Sequence, residues 1–433
     1  MLGWTLSGMS LRGACNAVDC MRRMPVNWGF DFPVPHYTTV RLWLLRLGYH
    51  KLCRPKKRAS DWVWIIDHSN QIGQEKCFLI LGVRLSQLPP PGLEFPLRLS
   101  QMEPIELEPV TVSDKEVVYR QLEANVAKTG VPRAIIDDHG GDVAGGVELF
   151  CRAHPQTIEI YDVSHKAACL LKARLERDEQ WKAFAAKAGQ TKCSIQQTEW
   201  SFLNPASQRI KARFMNLEPL LTWGVYMLAI LDNPGPEVLR HGTRKRLEEK
   251  LGWLREFRER LTDWWEMQEV IGVVLKFVRT QGLYRKAAKD LRKRLRSLAL
   301  GESAAQLGDD LTNFVASQAK QLKLGERIPG TSEVIESAFG KYKVVERDQA
   351  KGGFTGLLLA LAACVAERTQ EVVHETLQQT KTKEILAWIK SKLGETVGSK
   401  RRIAYRAAKV LLMAENNPKG ATKLEGTREL AFS

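Results

Sequence analysis

Residues 133–150 read RAIIDDHGGDVAGGVELF, and the fold turns on how those letters are taken. Val131, Ala134, Ile135 and Ile136 make a short apolar run rich in β-branched residues. It stops at Asp137, Asp138, His139, two glycines and Asp142, after which helical spacing resumes. Side chains at the C-terminal end of such a strand project into the crevice beyond an open α/β sheet, where ligands and catalysis are found. Turn formation by Asp137 and Asp138 and helix capping by Asp142 would explain the same letters without chemistry. A second stretch of the same kind weighs against that: in residues 62–73, WVWIIDHSNQIG, another apolar strand delivers Asp67 with His68 beside it.

Working outward, residues 61–67 and 77–85 alternate or run apolar and are joined by the polar link SNQIGQEK, as in a hairpin. A third extended run covers 105–112, beyond the break at Pro89–Pro91. Residues 114–129 place Val117, Val118, Leu122 and Val126 at helical spacing, and the strand ending at Asp138 follows. Residues 142–153 predict a helix, 157–163 a fifth strand, and His165 opens a long helix. The expected order is three meandering strands, helix, strand, helix, strand, helix.

The chain has 433 residues, enough for two or three cores. Its 65 Lys and Arg against 49 Asp and Glu leave a net charge of +16, which favours a polyanionic partner, nucleic acid ahead of a membrane surface. Between His36 and Ser60 there are seven basic residues and no acid. Between Arg240 and Arg296, seventeen basic against eight acidic residues contribute +9. The apolar runs at 220–231 and 354–366 are too short or too interrupted for the roughly 20 residues of a membrane span, and no signal peptide opens the chain. The eight cysteines include no CxxC pair, as expected of reduced thiols. Cys151, His154, His165 and Cys169 have ligand-like spacing, but the strand expected between the pairs holds them apart, so buried or structural roles are the expectation.

Ahead of the strands, the run PHYTTVRLWLLRLGYHKL places Val40, Trp43, Leu44 and Leu47 on one helical face, with Tyr37, Thr38, Arg41 and Arg46 elsewhere. A helix of this kind followed by the basic tail Lys56, Lys57 and Arg58 fits the recognition helix of a helix-turn-helix unit, its phosphate contacts made by the tail. The helices before it are incomplete, as if the chain began inside a longer domain. Residues 171–328 are almost wholly helical. Trp264 and Trp265 within them are candidates for base stacking, although Trp on an amphipathic helix is generally core. Beyond 366 the chain is helical and then basic, with 390–406 and 416–428 expected to contact DNA or mediate oligomerisation.

With these elements in place, the chain resembles a DDE transposase of a bacterial insertion sequence over residues 11–366. The element order matches the ribonuclease H-like fold, and Asp67 and Asp138 fall where the family carries its two aspartates, after strands one and four. In PGTSEVIESAFGKYK, Glu336 stands one turn into a helix beyond the helical segment, with Lys343 seven residues on, matching the family's Glu and Lys spacing. The Tyr and Arg that precede this Glu in one branch of the family are replaced here by Pro329 and Ser332.

The resemblance implies an α/β chain with a ribonuclease H-like mixed sheet, a helical insertion and a small helix-turn-helix domain in front. The expected divisions are 1–58 for DNA binding, 59–170 and 329–372 for the catalytic core, 171–328 for the insertion and 373–433 for the tail. It further implies Mg²⁺ or Mn²⁺ held by Asp67, Asp138 and Glu336, with His68, His139, Asp162, His165 and Lys343 in supporting roles. Double-stranded DNA, both transposon ends and target, would be the partner of a homo-oligomer acting in the bacterial cytoplasm at the nucleoid, with no membrane involved. Three carboxylates suit that chemistry, since a pair of ions about 3.5–4 Å apart clamps the attacking and leaving oxygens of a phosphodiester. Asp137 is the rival to Asp138, and strand alternation allows only one of them to point inward. A DNA-binding protein or nuclease on the same fold, inactive in transposition, is the competing function.

Overall fold

The computed structural model describes residues 1–24, 33–72, 75–90, 93–94, 96–206, 217–347, 355–394 and 397–416. Helices α1 (Leu2–Thr5), α2 (Leu11–Arg23) and α3 (Tyr37–Cys53) lead into strands β1 (Trp62–Ile72), β2 (Glu75–Arg84) and β3 (Glu103–Val110). Then come α4 (Lys115–Thr129), β4 (Ala134–Asp137), α5 (Gly141–Ala153), β5 (Ile158–Tyr161) and α6 (Val163–Leu175). This is the order expected from the hydrophobic patterning. The sheet is mixed, with spatial order β3-β2-β1-β4-β5: β1 to β3 are antiparallel, while β4 lies parallel to both β1 and β5. That topology is compatible with a ribonuclease H-like fold.

Both faces of the sheet are covered, which is why residues 62–66 of β1 and 134–136 of β4 are continuously apolar rather than alternating with polar residues. Trp64, Ile66, Phe78, Ile80 and Ile135 pack on one face against Val118 and Leu122 of α4 and Val143, Val147 and Phe150 of α5. Val63, Ile65, Leu79, Ala134, Ile136 and Ile160 face the other side and join the larger core.

That larger core runs into the insertion, built from α7 (Glu179–Ile195), α8 (Glu218–Asp232), α9 (Pro236–Leu239), α10 (Arg244–Leu251), α11 (Arg258–Gln281), α12 (Ala287–Leu295) and α13 (Glu302–Ala319). Its centre is aromatic: Trp264 meets Trp181 edge-on at 5.0 Å and Phe184 at 5.2 Å, and its Nε1 donates to Asp178 at 3.0 Å. Trp264 is therefore a core residue, whereas Trp265 is 37% exposed. The chain then returns through α14 (Glu333–Arg347) and α15 (Leu359–Ala363), and continues in α16 (Gln370–Gln379), α17 (Thr382–Leu393) and α18 (Val397–Asn416). The basic stretch expected beyond Asn416 lies outside the described residues.

The N-terminal helices do not stand apart. Leu44, Leu45, Leu47 and Leu52 of α3 belong to the same apolar cluster as Val63 and Leu79, and α3 packs on β3, α15, α16 and α17. The approach to α15 is close enough that a Cβ on Gly48 would come within 1.8 Å of the Leu359 carbonyl oxygen. The segment expected as a separate helix-turn-helix unit is thus packed into the main core through the leucines of α3. Among the described residues, no helix is long and apolar enough to cross a membrane.

Candidate active site

Strand register decides which aspartates meet. On β1, Val63 and Ile65 point to the larger core, so Asp67 at the same parity points there too, and His68 points to the opposite face. On β4, Ala134 and Ile136 share that side, which sends Asp138 toward Asp67 and turns Asp137 away. Ile65 is paired with Ile136, and Asp137 with Tyr161. Asp67, Asp138 and Asp162 therefore lie at the same level on three adjacent strands or their immediate extensions.

Glu336 reaches this corner from α14, which packs on β1. The start of that helix is tied to the sheet through Asp162. Its Oδ1 accepts from Ser164 N and Oγ, both at 2.6 Å, while its Oδ2 accepts from Ser332 N at 3.1 Å and Ser332 Oγ at 2.5 Å. The Val163 amide adds a bond to Gly330 O at 3.0 Å. Asp162 is 1% exposed and both its oxygens are occupied by these donors. It works as a clasp between β5 and α14, holding Glu336 opposite strands that lie far away in sequence.

The electrostatics are those of carboxylates near one another. Removal from water, then Asp138, with Glu336 and Asp162 adding, raises the Asp67 carboxyl to about 7. Glu336 is raised by burial first and then by Asp162, Glu333 and Asp138, with Arg279 opposing. Arg279 is itself engaged by both oxygens of Glu333, one turn before Glu336. Among the described residues, none of Asp67, Asp138 and Glu336 forms an ion pair. Asp138 accepts from the Gly140 amide at 3.0 Å. Beside α14 opens a cavity of about 790 Å³ whose lining includes Arg98, Arg279, Lys341 and Arg368.

The remaining candidates are dispersed. His68, on the far face, stacks near Phe78 and lies 3.3 Å from Ser113 Oγ and 3.7 Å from Asp142. His139 turns to Glu159 and Tyr161, also away from Asp67. His165 donates its backbone N–H to the helix-capping Asp162 at 3.4 Å, and Lys343 is exposed two turns beyond Glu336. Cys151, His154, His165 and Cys169 do not assemble. Among the described residues, the group that brings three ligand atoms within 4.8 Å of one another is Asp137, His139 and Glu159. Asp67, Asp138 and Glu336 are spaced more widely than that.

Of the residues expected to touch DNA, several are engaged inside the fold. Arg46 donates to the Leu377 carbonyl, and Lys56 is buried against Glu103 at 3.0 Å and the Lys51 carbonyl at 2.6 Å. Arg58 donates to Ala127 O at 2.9 Å, and burial lowers the pKa of Arg41. Thr38 and Lys57 are exposed, and Tyr37 is half-buried beneath Arg12. Glu103, which gathers Lys56 together with Lys51 and Arg54, was not visible as a partner in the sequence. It is one of three acids in β3, with Glu106 and Glu108, and nothing in the letters singles it out.

No family model matches the chain, and no curated protein does. Among solved structures, it is similar to the Drosophila P element transposase strand transfer complex, at 12% identity and a TM-score of 0.35, over 84% of this chain and 93% of that one. At that score the likeness decides nothing, and the functional reading rests on the residues themselves.

Proposed function

We propose that the chain is a metal-dependent transposase of the DDE type, cleaving DNA at the ends of a mobile element and joining those ends to target DNA. The observation that carries the reading is the convergence of Asp67, Asp138 and Glu336 from β1, β4 and α14 on one corner, without a paired cation. Carboxylates forced together and partly removed from water need positive charge from outside the chain. A donor set of carboxylates alone fits Mg²⁺ or Mn²⁺, which take oxygen ligands and leave places for water and phosphate. Bound there, such ions would stabilise the attacking and leaving oxygens of a phosphodiester. Their demand on the protein is one or two carboxylates each, which suits a set spaced too widely to close on a single ion.

The chain's own contribution is position. Adjacent parallel strands fix Asp67 and Asp138, and the Asp162 clasp holds α14 so that Glu336 completes the set. Arg98, Lys341 and Arg368 along the neighbouring cavity supply a cationic wall for a phosphate backbone.

The test is nicking of a supercoiled plasmid carrying the DNA that flanks the coding sequence, with and without Mg²⁺ or Mn²⁺. Asp67→Asn, Asp138→Asn and Glu336→Gln are each expected to lower cation-dependent nicking by roughly 10²-fold or more while DNA binding persists. Undiminished nicking in the three variants would remove the assignment.

A further inference from the structure

On the opposite side of β4 lies a second, smaller group that the reading above does not use. Asp137 is completely buried at the end of the strand, on the α5 face. Its Oδ1 accepts from the His139 amide at 2.6 Å, whereas its Oδ2 is buried and meets no hydrogen-bond partner. Glu159, one strand over on β5, and the imidazole of His139 close the group. His139 Nδ1 lies 3.0 Å from Glu159 Oε1 and 4.0 Å from Asp137 Oδ1. The ring is held in that orientation by stacking on Tyr161, centroids 4.7 Å apart and planes 18° from parallel.

Neither protonation state of Asp137 satisfies this arrangement. Ionised, it is a buried charge beside a second carboxylate; protonated, its hydroxyl has no acceptor at Oδ2. A cation between the three side chains removes both difficulties. We propose that Asp137, His139 and Glu159 form a second metal site, distinct from the Asp67 corner, for a divalent cation of the zinc class. One imidazole nitrogen and two carboxylates are a donor set that zinc accepts, with a fourth position left to water. Mg²⁺ prefers oxygen ligands and retains its own waters, so the imidazole discriminates against it.

Zinc bonds of about 2.0–2.2 Å require the ligand atoms to draw in from their present spread. Asp137 is fixed by the strand, so the movement falls to His139, sliding on the Tyr161 ring, and to Glu159, whose side chains are 50% and 25% exposed. The cation enters from that open side. Once bound, it ties the end of β4 to β5 next to Asp138.

The experiment uses metal-stripped full-length protein carrying Asp67→Asn, which disables the other site, titrated with Zn²⁺ against a chromophoric chelator. One Zn²⁺ per chain is expected, and excess Mg²⁺ should not displace it. Adding Glu159→Gln or His139→Asn should weaken that binding by roughly tenfold or more, since even outer-shell losses cost 10–100-fold. Asn is chosen because residue 139 has a φ of +61°, which Asn tolerates, and circular dichroism checks that each variant is folded. Zinc binding that is absent, equal in all variants or readily displaced by Mg²⁺ overturns the proposal. None of these outcomes depends on DNA cleavage, so the site stands or falls separately from the transposase reading.

Discussion

Two groups of charge sit at the sheet and follow opposite rules. At β3, Glu103 is met by Lys51 at 2.6 Å, Lys56 at 3.0 Å and Arg54, one carboxylate among three cations. Burial pushes its carboxyl up, but Lys51 and Lys56, with Arg54, outweigh this and hold it at about 2. Where β1, β4 and β5 face the start of α14, carboxylates gather and, among the described residues, none of Asp67, Asp138 and Glu336 is ion-paired; the nearby Arg279 is bound by Glu333, and only Asp162 has both oxygens bonded. The first group is closed and explains itself as architecture, tying α3 to the sheet. The second is open, and its unmet charge is what marks it for a ligand. Buried charge alone thus says little about function; whether the chain itself neutralises that charge says much more.

The largest expected effect breaks the closed group. Glu103→Gln leaves Lys51 and Lys56 buried without their counter-charge, and removing one partner of a buried pair costs about 3–5 kcal/mol. Chemical denaturation at pH 7 should show a loss of that order. Because the folded pKa of Glu103 lies below its ordinary value, its contribution is complete above about pH 4.5 and fades as the pH falls toward 2. The variant should lack that acid limb.

The open group should respond with the opposite sign. The folded pKa of Asp67 is raised from 3.8 to about 7, so the folded chain holds that proton more tightly than the unfolded one. Metal-free protein should therefore lose stability as the pH rises from about 4 to 7, with no further loss from this group above 7. Asp67→Asn removes the penalty and should stabilise the metal-free protein at pH 8 by roughly 1–3 kcal/mol. Each pH unit of the window is worth at most about 1.4 kcal/mol, and the half-open site is screened. Mg²⁺ should raise the melting temperature of the unmodified protein at pH 8 and not that of the variant. A variant less stable than the parent at pH 8 would mean that the corner is already neutralised from within.

Much of this was legible in the letters, for identifiable reasons. The strand and helix order through α6 could be read because β1, β2 and β4 carry continuous apolar runs, β3 and β5 alternate, and the helices between them show helical spacing. Alternation allowed only one of Asp137 and Asp138 to point inward, the preference for Asp138 came from the resemblance's Asp, any residue, Gly pattern, and the register now sends the two to opposite faces. The Asp162 clasp was half visible: its capping role is local, while its bond to Ser332, 170 residues away, is not. The zinc-class group escaped notice because Glu159 reads as an ordinary strand residue and meets Asp137 only through β4–β5 pairing. The basic run after α3 was the hardest to read. A solvated phosphate-binding tail and a buried ion-pair cluster use the same Lys and Arg residues, and only the distant Glu103 tells them apart.

That last ambiguity yields the smallest but most discriminating prediction. Lys56 and Lys57 are neighbours in sequence but differ in environment: Lys56 is buried, its ammonium lowered to about 8 by burial despite Glu103, whereas Lys57 is exposed. Lys57→Ala should leave stability within about 0.5 kcal/mol, as surface substitutions generally do. If the tail touches DNA, it should weaken binding evenly across sequences and reduce the slope of log affinity against log salt by about 0.9, the value of one phosphate contact. Lys56→Ala should do the reverse, lowering stability while leaving the salt slope unchanged once the protein is folded. Measuring both variants by denaturation and by DNA binding at several salt concentrations separates the two roles. An unchanged slope for Lys57→Ala would confine this tail to architecture and move the DNA contacts to the cationic wall beside α14, where Arg98, Lys341 and Arg368 line the cavity.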